Sequence, residues 1–167
     1  MNEERIVSAT ALDPAAPPYE RIEHILRENP FFEEFDPAEL DYFARQLSLR
    51  SFGADTVLFR KGDLGSYLFF IVEGEVEVRL EAHDLKQVII ATFERGSCVG
   101  EMSIVDDYPR SATIVVTQPS ELLLLTRGRF EAICAEQPTL GLRFLKGIAK
   151  NLSLRLRKTS GRFADLA

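Results

Sequence analysis

Val99-Gly100-Glu101-Met102-Ser103-Ile104-Val105-Asp106-Asp107-Tyr108-Pro109-Arg110-Ser111-Ala112 is the stretch on which the reading of this chain turns. It reads as a turn, one helical turn, a second turn, and then the start of a strand carrying an arginine. Gly100 lets the backbone come close to whatever lies outside it, and the first free N–H groups of the helical turn that follows make an anion site. Arg110 adds a fork-shaped cation suited to phosphate oxygens. Glu101 conflicts with that picture, because a carboxylate repels an anion unless it accepts hydrogen bonds from hydroxyls on the same ligand. A ligand that is both phosphate and sugar resolves the conflict. Each residue alone has a plainer explanation: Glu101 as a first-turn acid favoured by the helix dipole, Arg110 as a surface charge, Ser111 as a strand residue. Their spacing around the glycine favours a site.

Outward from this stretch, residues 49 to 125 carry short apolar runs separated by Gly, Asp and Pro turns every eight to twelve residues, the pattern of an antiparallel sandwich or barrel. Strands are expected at Arg50 to Phe52, Val57 to Arg60, Tyr67 to Val72, Glu75 to Leu80, Gln87 to Phe93, Ala112 to Gln118 and Glu121 to Thr126, with Tyr67 to Val76 turning through Gly74 as a hairpin. Glu75-Val76-Glu77-Val78-Arg79-Leu80 alternates, so one of its faces is wet and the other packed. Helices flank this core. One is expected from Tyr19 to Glu28, stopped by Pro30; a second opens at Asp36-Pro37-Ala38-Glu39, with Asp as cap, Pro at the first position and Glu three after the cap. On the C-terminal side a short helix from Arg127 to Glu136 ends before Pro138, and a long one runs from Leu140 to Thr159. Leu142, Leu145, Ala149, Leu152 and Leu156 form its apolar stripe, with Phe144, Ile148 and Leu154 off it. That surplus of apolar surface suggests cover by a second copy through residues 140 to 158.

Composition bounds the rest. The 167 residues suit one domain, with residues 1–17, rich in Glu, Ala and Pro, expected as a disordered leader, the barrel over about 49–126 and the C-terminal helices over about 127–159. No run approaches the ~18 apolar residues of a membrane span, the acidic N-terminus does not resemble a secretory signal, and two cysteines do not make a disulfide scaffold. A cytoplasmic location is expected. The net charge of −6 conceals an acid-free segment from Gln137 to Ala164 bearing Arg143, Lys146, Lys150, Arg155, Arg157, Lys158 and Arg162, read as a solvated basic face or a docking face for an acidic partner.

Gly100-Glu101-Met102-Ser103 followed by Pro109-Arg110-Ser111-Ala112 resembles the phosphate-binding cassette of the cyclic nucleotide-binding domain family, which includes the catabolite activator and the regulatory subunits of cyclic-AMP-dependent protein kinase. The Lys61-Gly62-Asp63 turn, Tyr67 to Val76 and Gly96 extend the likeness over roughly residues 30 to 157. The resemblance implies an α+β fold, a jelly-roll β barrel with N-terminal helices and a long C-terminal lid helix. It also implies roles. Glu101 would accept the ribose 2′-hydroxyl, Arg110 would pair with the charged exocyclic phosphate oxygen, the N–H groups near Met102 and Ser103 would hold phosphate oxygens, and Ser111, beside Ala112, would add a hydroxyl. The family's lid contacts to the base fall at Arg155 and Leu156, a departure, since neither offers the hydroxyl that reads adenine, although Arg155 could stack on either purine.

The resulting expectation is a stand-alone cyclic nucleotide sensor in signal transduction, non-enzymatic and without cofactor. Cyclic AMP is favoured over cyclic GMP, which Ser111 leaves open, and ligand closes the last helix as a lid. The output would be an unknown effector protein, a change in a homodimer, or nucleotide buffering. Two alternatives stay open: a truncated or partner-dependent transcription regulator of the catabolite-activator type, and a non-binding interaction scaffold. Direct DNA contact is not expected, because only Ser160 to Ala167 follow the long helix. A metal-dependent barrel enzyme is disfavoured, since His24 and His83 are the only histidines, and Cys98 and Cys134 are read as packed residues rather than nucleophiles.

Overall fold

The computed structural model describes residues 19–81 and 87–164. The expected leader, residues 1–17, and His83 lie outside the described residues. Chain order is α1 (Tyr19–Glu28), a 3-10 turn at Pro30–Phe32, α2 (Pro37–Ala44), β1 (Ser48–Phe52), β2 (Val57–Phe59), β3 (Tyr67–Glu81), β4 (Gln87–Glu94), β5 (Cys98–Val99), α3 (Met102–Asp106), β6 (Thr113–Thr126), α4 (Arg127–Glu136) and α5 (Pro138–Ala164). The chain divides into two compact units, residues 1–129 and 130–167. Among the described residues no helix is long and apolar enough to cross a membrane.

In the first unit, α2 begins as its residues dictate. Asp36 Oδ1 accepts from Glu39 N at 2.9 Å and Glu39 Oε2 accepts from Asp36 N at 2.9 Å, a closed capping box with Pro37 just inside it. The rings of Phe31, Phe32, Phe35, Phe43 and Phe70 meet at centroid distances of 4.9 to 5.9 Å, which fastens this helical segment to β3.

The sheet is antiparallel and open, with path β1-β6-β3-β4, β2 also pairing with β6 and β5 with β3. It departs from the expected strand list in one instructive way. Tyr67 to Val72 and Glu75 to Leu80 are not two arms of a hairpin but one strand, β3, and the two strands expected on either side of Pro119 are likewise one, β6. β3 and β6 run alongside each other and bend together. The pairing register shifts between Ile71 and Val76, where Gly74 takes φ +95°, opposite the Gln118-Pro119-Ser120 segment of β6. A Cβ on Gly74 would collide with Ser120, whose Oγ accepts from Glu75 N at 3.1 Å and donates to Gln118 O at 2.7 Å. Glycine and proline, which predict turns from sequence, here mark a shared bend in long strands.

The bend divides the sheet into two layers. The first half of β3 and the second half of β6 pair with β5 and β1; the other halves pair with β4 and β2. Between the layers lies one core of Leu58, Phe59, Phe69, Ile71, Val76, Val116, Leu122 and their neighbours. This is the jelly-roll expected of the chain.

The second unit holds most of α4 and all of α5. Phe130, Ile133, Leu140, Phe144 and Ile148 are buried, and the Phe130 and Phe144 rings lie 5.7 Å apart. The helices approach closely where a Cβ on Gly141 would stand 2.8 Å from Cys134 Sγ. The expected stripe on α5 is therefore corrected: Leu140, Phe144 and Ile148, spaced by four, are the buried line, while Leu142 (56% exposed), Ala149 and Leu156 (68% exposed) face solvent. Two apolar lines of equal helical period cannot be ranked by period alone.

Candidate functional site

The stretch 99–112 folds as a built loop. β5 runs into Gly100 at φ +84°, Glu101 takes the N-cap position, α3 makes little more than one turn, and Asp107 ends it in the left-handed region at φ +58°. Tyr108 N then donates to Asp106 Oδ1 at 3.0 Å. Arg110, Ser111 and Ala112 precede β6, which begins at Thr113, so the arginine lies in the loop rather than on the strand.

Three polar side chains of this loop are withdrawn from solvent. Glu101, Ser103 and Arg110 are each 3% exposed. That excludes the plain reading of Arg110 as a surface charge. Its Nη1 donates to Gly100 O at 2.9 Å, its Nη2 donates to Tyr67 O at 2.6 Å, and its guanidinium carbon lies 3.8 Å from the centre of the Phe59 ring and 5.1 Å from that of Tyr67. The Arg110 backbone is bracketed by the Lys61-Gly62-Asp63 turn: Gly62 N donates to Arg110 O at 2.9 Å and Arg110 N donates to Asp63 O at 2.7 Å. Asp63 in turn accepts from Arg60 N at 2.7 Å. Thus the turn singled out in the sequence is the mount for the arginine. Glu101 holds the N-cap position of α3 without a side-chain cap hydrogen bond.

Gly100 is required on two counts: its φ, and the 2.9 Å that a Cβ would leave to Arg110 Nη1. The other expected residues differ in placement. Met102 and Ser111 are exposed, with Ser111 Oγ 3.9 Å from Met102 Sδ, and Ala112 is buried. Arg155, half-buried, and Leu156, exposed, stand on α5 in the second unit.

Sequence reasoning missed Gly65, Phe59 and Arg127. Gly65 has no space for a side chain, since a Cβ there would collide with Ser103 Cβ and Oγ and stand 3.4 Å from Arg110 Cζ. Phe59 was visible only as an apolar strand residue. Arg127 was visible only as the first residue of a helix, yet its guanidinium reaches Gly65 O, Ser103 O and Asp107. Nothing local in the chain marks these three; the contacts join segments tens of residues apart.

A buried acid and a buried base sit beside a left-handed glycine on one short loop, mounted on a jelly-roll. The comparisons agree with that geometry. Residues 49–137, just over half of the chain, match the cyclic nucleotide-binding domain. A cyclic nucleotide-gated potassium channel of Mesorhizobium japonicum is 32% identical over 117 residues, 70% of this chain and 31% of the channel. The cyclic AMP receptor protein of Thermus thermophilus is 28% identical over 133 residues, 80% of this chain and 60% of that protein. The chain thus spans from about a third to less than two thirds of these relatives. Among solved structures, a cyclic nucleotide-binding domain from Methylobacillus flagellatus superimposes with TM-score 0.79 at 29% identity, covering 92% of this chain and 86% of that one. On the matched half of its sequence, its two-layer roll and its loop of buried charges, the chain belongs to the cyclic nucleotide-binding domain family.

Proposed function

We propose that the chain is a cyclic nucleotide sensor, a regulatory rather than catalytic module acting in the cytoplasm, with cyclic AMP favoured over cyclic GMP. The observation that carries the reading is the joint burial of Glu101 and Arg110 on the loop that begins at Gly100. A buried guanidinium favours an anion, and a buried carboxylate beside it favours a ligand with hydroxyls; a ribose cyclic phosphate offers both. In this reading Arg110 takes the exocyclic phosphate oxygen, which as a charged acceptor competes well with the Gly100 and Tyr67 carbonyls. The N–H groups of Met102 and Ser103 take further phosphate oxygens, Glu101 accepts from the 2′-hydroxyl, and Ser111 with Ala112 lines the approach. The preference for cyclic AMP leans on relatives such as the Thermus receptor, whose name specifies that nucleotide.

The lid in this reading is α5, with Arg155 and Leu156 nearest the base. Exposed Leu142, Leu154 and Leu156 supply apolar surface for a homodimer through residues 140–158. Binding shifts the population of α5 positions by no more than the ligand's differential affinity for them.

Calorimetric titration with cyclic AMP, cyclic GMP and cyclic di-GMP tests the reading. Hydrogen bonds to a charged group are worth roughly 1.5–3 kcal/mol, so Arg110→Gln and Glu101→Gln are each expected to weaken cyclic AMP binding by about ten- to a hundredfold. Absence of wild-type binding at millimolar nucleotide, or unchanged affinity in both variants, would sink it. Hydrogen exchange on residues 140–158 with and without nucleotide tests the lid; equal protection in both states removes it.

A further inference from the structure

We propose that Arg127, the first residue of α4, is a positioning residue that locks the cassette loop to the start of that helix. The proposal rests on the reading of residues 99–112 as the nucleotide site. Three partners on two segments, Gly65 and the α3 loop, converge on this one guanidinium. Nη2 donates to Gly65 O at 3.0 Å and to Ser103 O, Nε donates to Gly65 O at 3.3 Å, and Nη1 pairs with Asp107. Each partner has a structural reason to need it. Ser103 O lies in the last turn of a five-residue helix, where intrahelical donors run out. Asp107 is the left-handed residue that ends that helix. Gly65 is the residue against which Ser103 packs without space for a Cβ.

The main chain adds a fourth point, since Arg127 N donates to Ser66 O at 2.7 Å. Arg127 therefore fixes Gly65-Ser66 and α3 to each other and to the start of α4 through one residue. Arg110 makes the complementary tie, from Gly100 to the start of β3 at Tyr67. The two ties thus meet at α3 and at the start of α4, which continues covalently into the second unit.

The parts of the tie are unequal. The Asp107 side chain is 78% exposed, so its ion pair contributes little, whereas the Arg127 side chain is 29% exposed and its two carbonyl partners demand the planar fork that lysine lacks. Arg127→Gln is expected to speed amide exchange of residues 103–107 about tenfold in nucleotide-free protein, with β3 and β6 unchanged, and to weaken cyclic AMP binding about tenfold. Arg127→Lys should recover only part of both effects, Asp107→Asn should lie within about twofold of wild type because that pair is exposed, and Arg129→Gln, the control, should match wild type. Should the Gln variant not fold, the Lys variant carries the same comparison. Wild-type exchange at 103–107 in Arg127→Gln, or Asp107→Asn matching it in full, overturns the proposal. Wild-type protein that fails to bind cyclic AMP, with exchange still faster in Arg127→Gln, overturns the nucleotide reading and leaves the tie standing.

Discussion

Gly65→Ala is the sharpest test of how the cassette is held, because it adds one methyl group and no charge. Gly65 does not have a positive φ, so its backbone accepts alanine, and on that account alone the change would stabilise by about 0.4–1 kcal/mol through the unfolded chain. Packing opposes it. The added Cβ would collide with Ser103 Cβ and Oγ. Ser103 Cβ cannot rotate away, since it is fixed to the backbone of α3, and Ser103 is buried. Overpacking of this kind costs about 1–3 kcal/mol, and a rigid obstacle places it at about 2–3. The net expectation is a loss of about 1–2.5 kcal/mol, read as a lower urea midpoint at unchanged m-value. On the proposed function, cyclic AMP affinity should fall about tenfold with it, because α3 carries the N–H groups proposed to hold the phosphate. Ser103→Gly removes both colliding atoms, leaving Arg110 Cζ at 3.4 Å as the nearest neighbour, and costs roughly 0.5 kcal/mol by itself from helix propensity. The double variant should therefore be more stable than Gly65→Ala alone, a coupling of at least about 1 kcal/mol. A Gly65→Ala protein as stable as wild type, or strict additivity with Ser103→Gly, would refute the reasoning.

Further predictions follow from separate parts of the fold. Asp36→Ala opens the capping box of α2 and should lower stability by about 1 kcal/mol in urea denaturation, with nucleotide affinity unchanged. Burial, assisted by the Glu131 carboxylate, pushes the Cys134 thiol above its ordinary value. The thiol is thus neutral at physiological pH and should alkylate with iodoacetamide more slowly than a free thiol. A raised acid favours the folded state below the ordinary thiol pKa of about 8.5, and that contribution is lost as pH climbs through the raised value. The stability difference between Cys134→Ala and wild type should therefore vary with pH only on the alkaline side, and a variation confined to neutral pH would contradict it.

Features written in short-range terms were legible in the chain. The α2 start, the end of α4 before Pro138, the alternation of Glu75 to Leu80 and the turn-helix-turn of residues 99–112 depend on dihedral preferences and on residues at most four apart, and the structure has each of them. The jelly-roll followed from the resemblance that the cassette motif carried. Less legible was anything that required knowing a partner. Gly74 and Pro119 announce an interruption, but only the pairing of β3 with β6 makes it a common bend instead of two turns. The period of α5 announces a buried line, but only packing selects Leu140, Phe144 and Ile148 over Leu142, Ala149 and Leu156.

The site divides in the same way. The sequence by itself determined its chemistry: a glycine that permits close approach, an acid, an arginine, and a proline-ended turn at fixed spacing. Only the tertiary structure decided that the acid and the arginine are buried, that Phe59 and Tyr67 frame the guanidinium, and that Gly65 and Arg127 contact α3 at Ser103. The physical reason is that charge and backbone freedom are properties of single residues, whereas burial and mechanical support exist only between segments that the fold brings into contact.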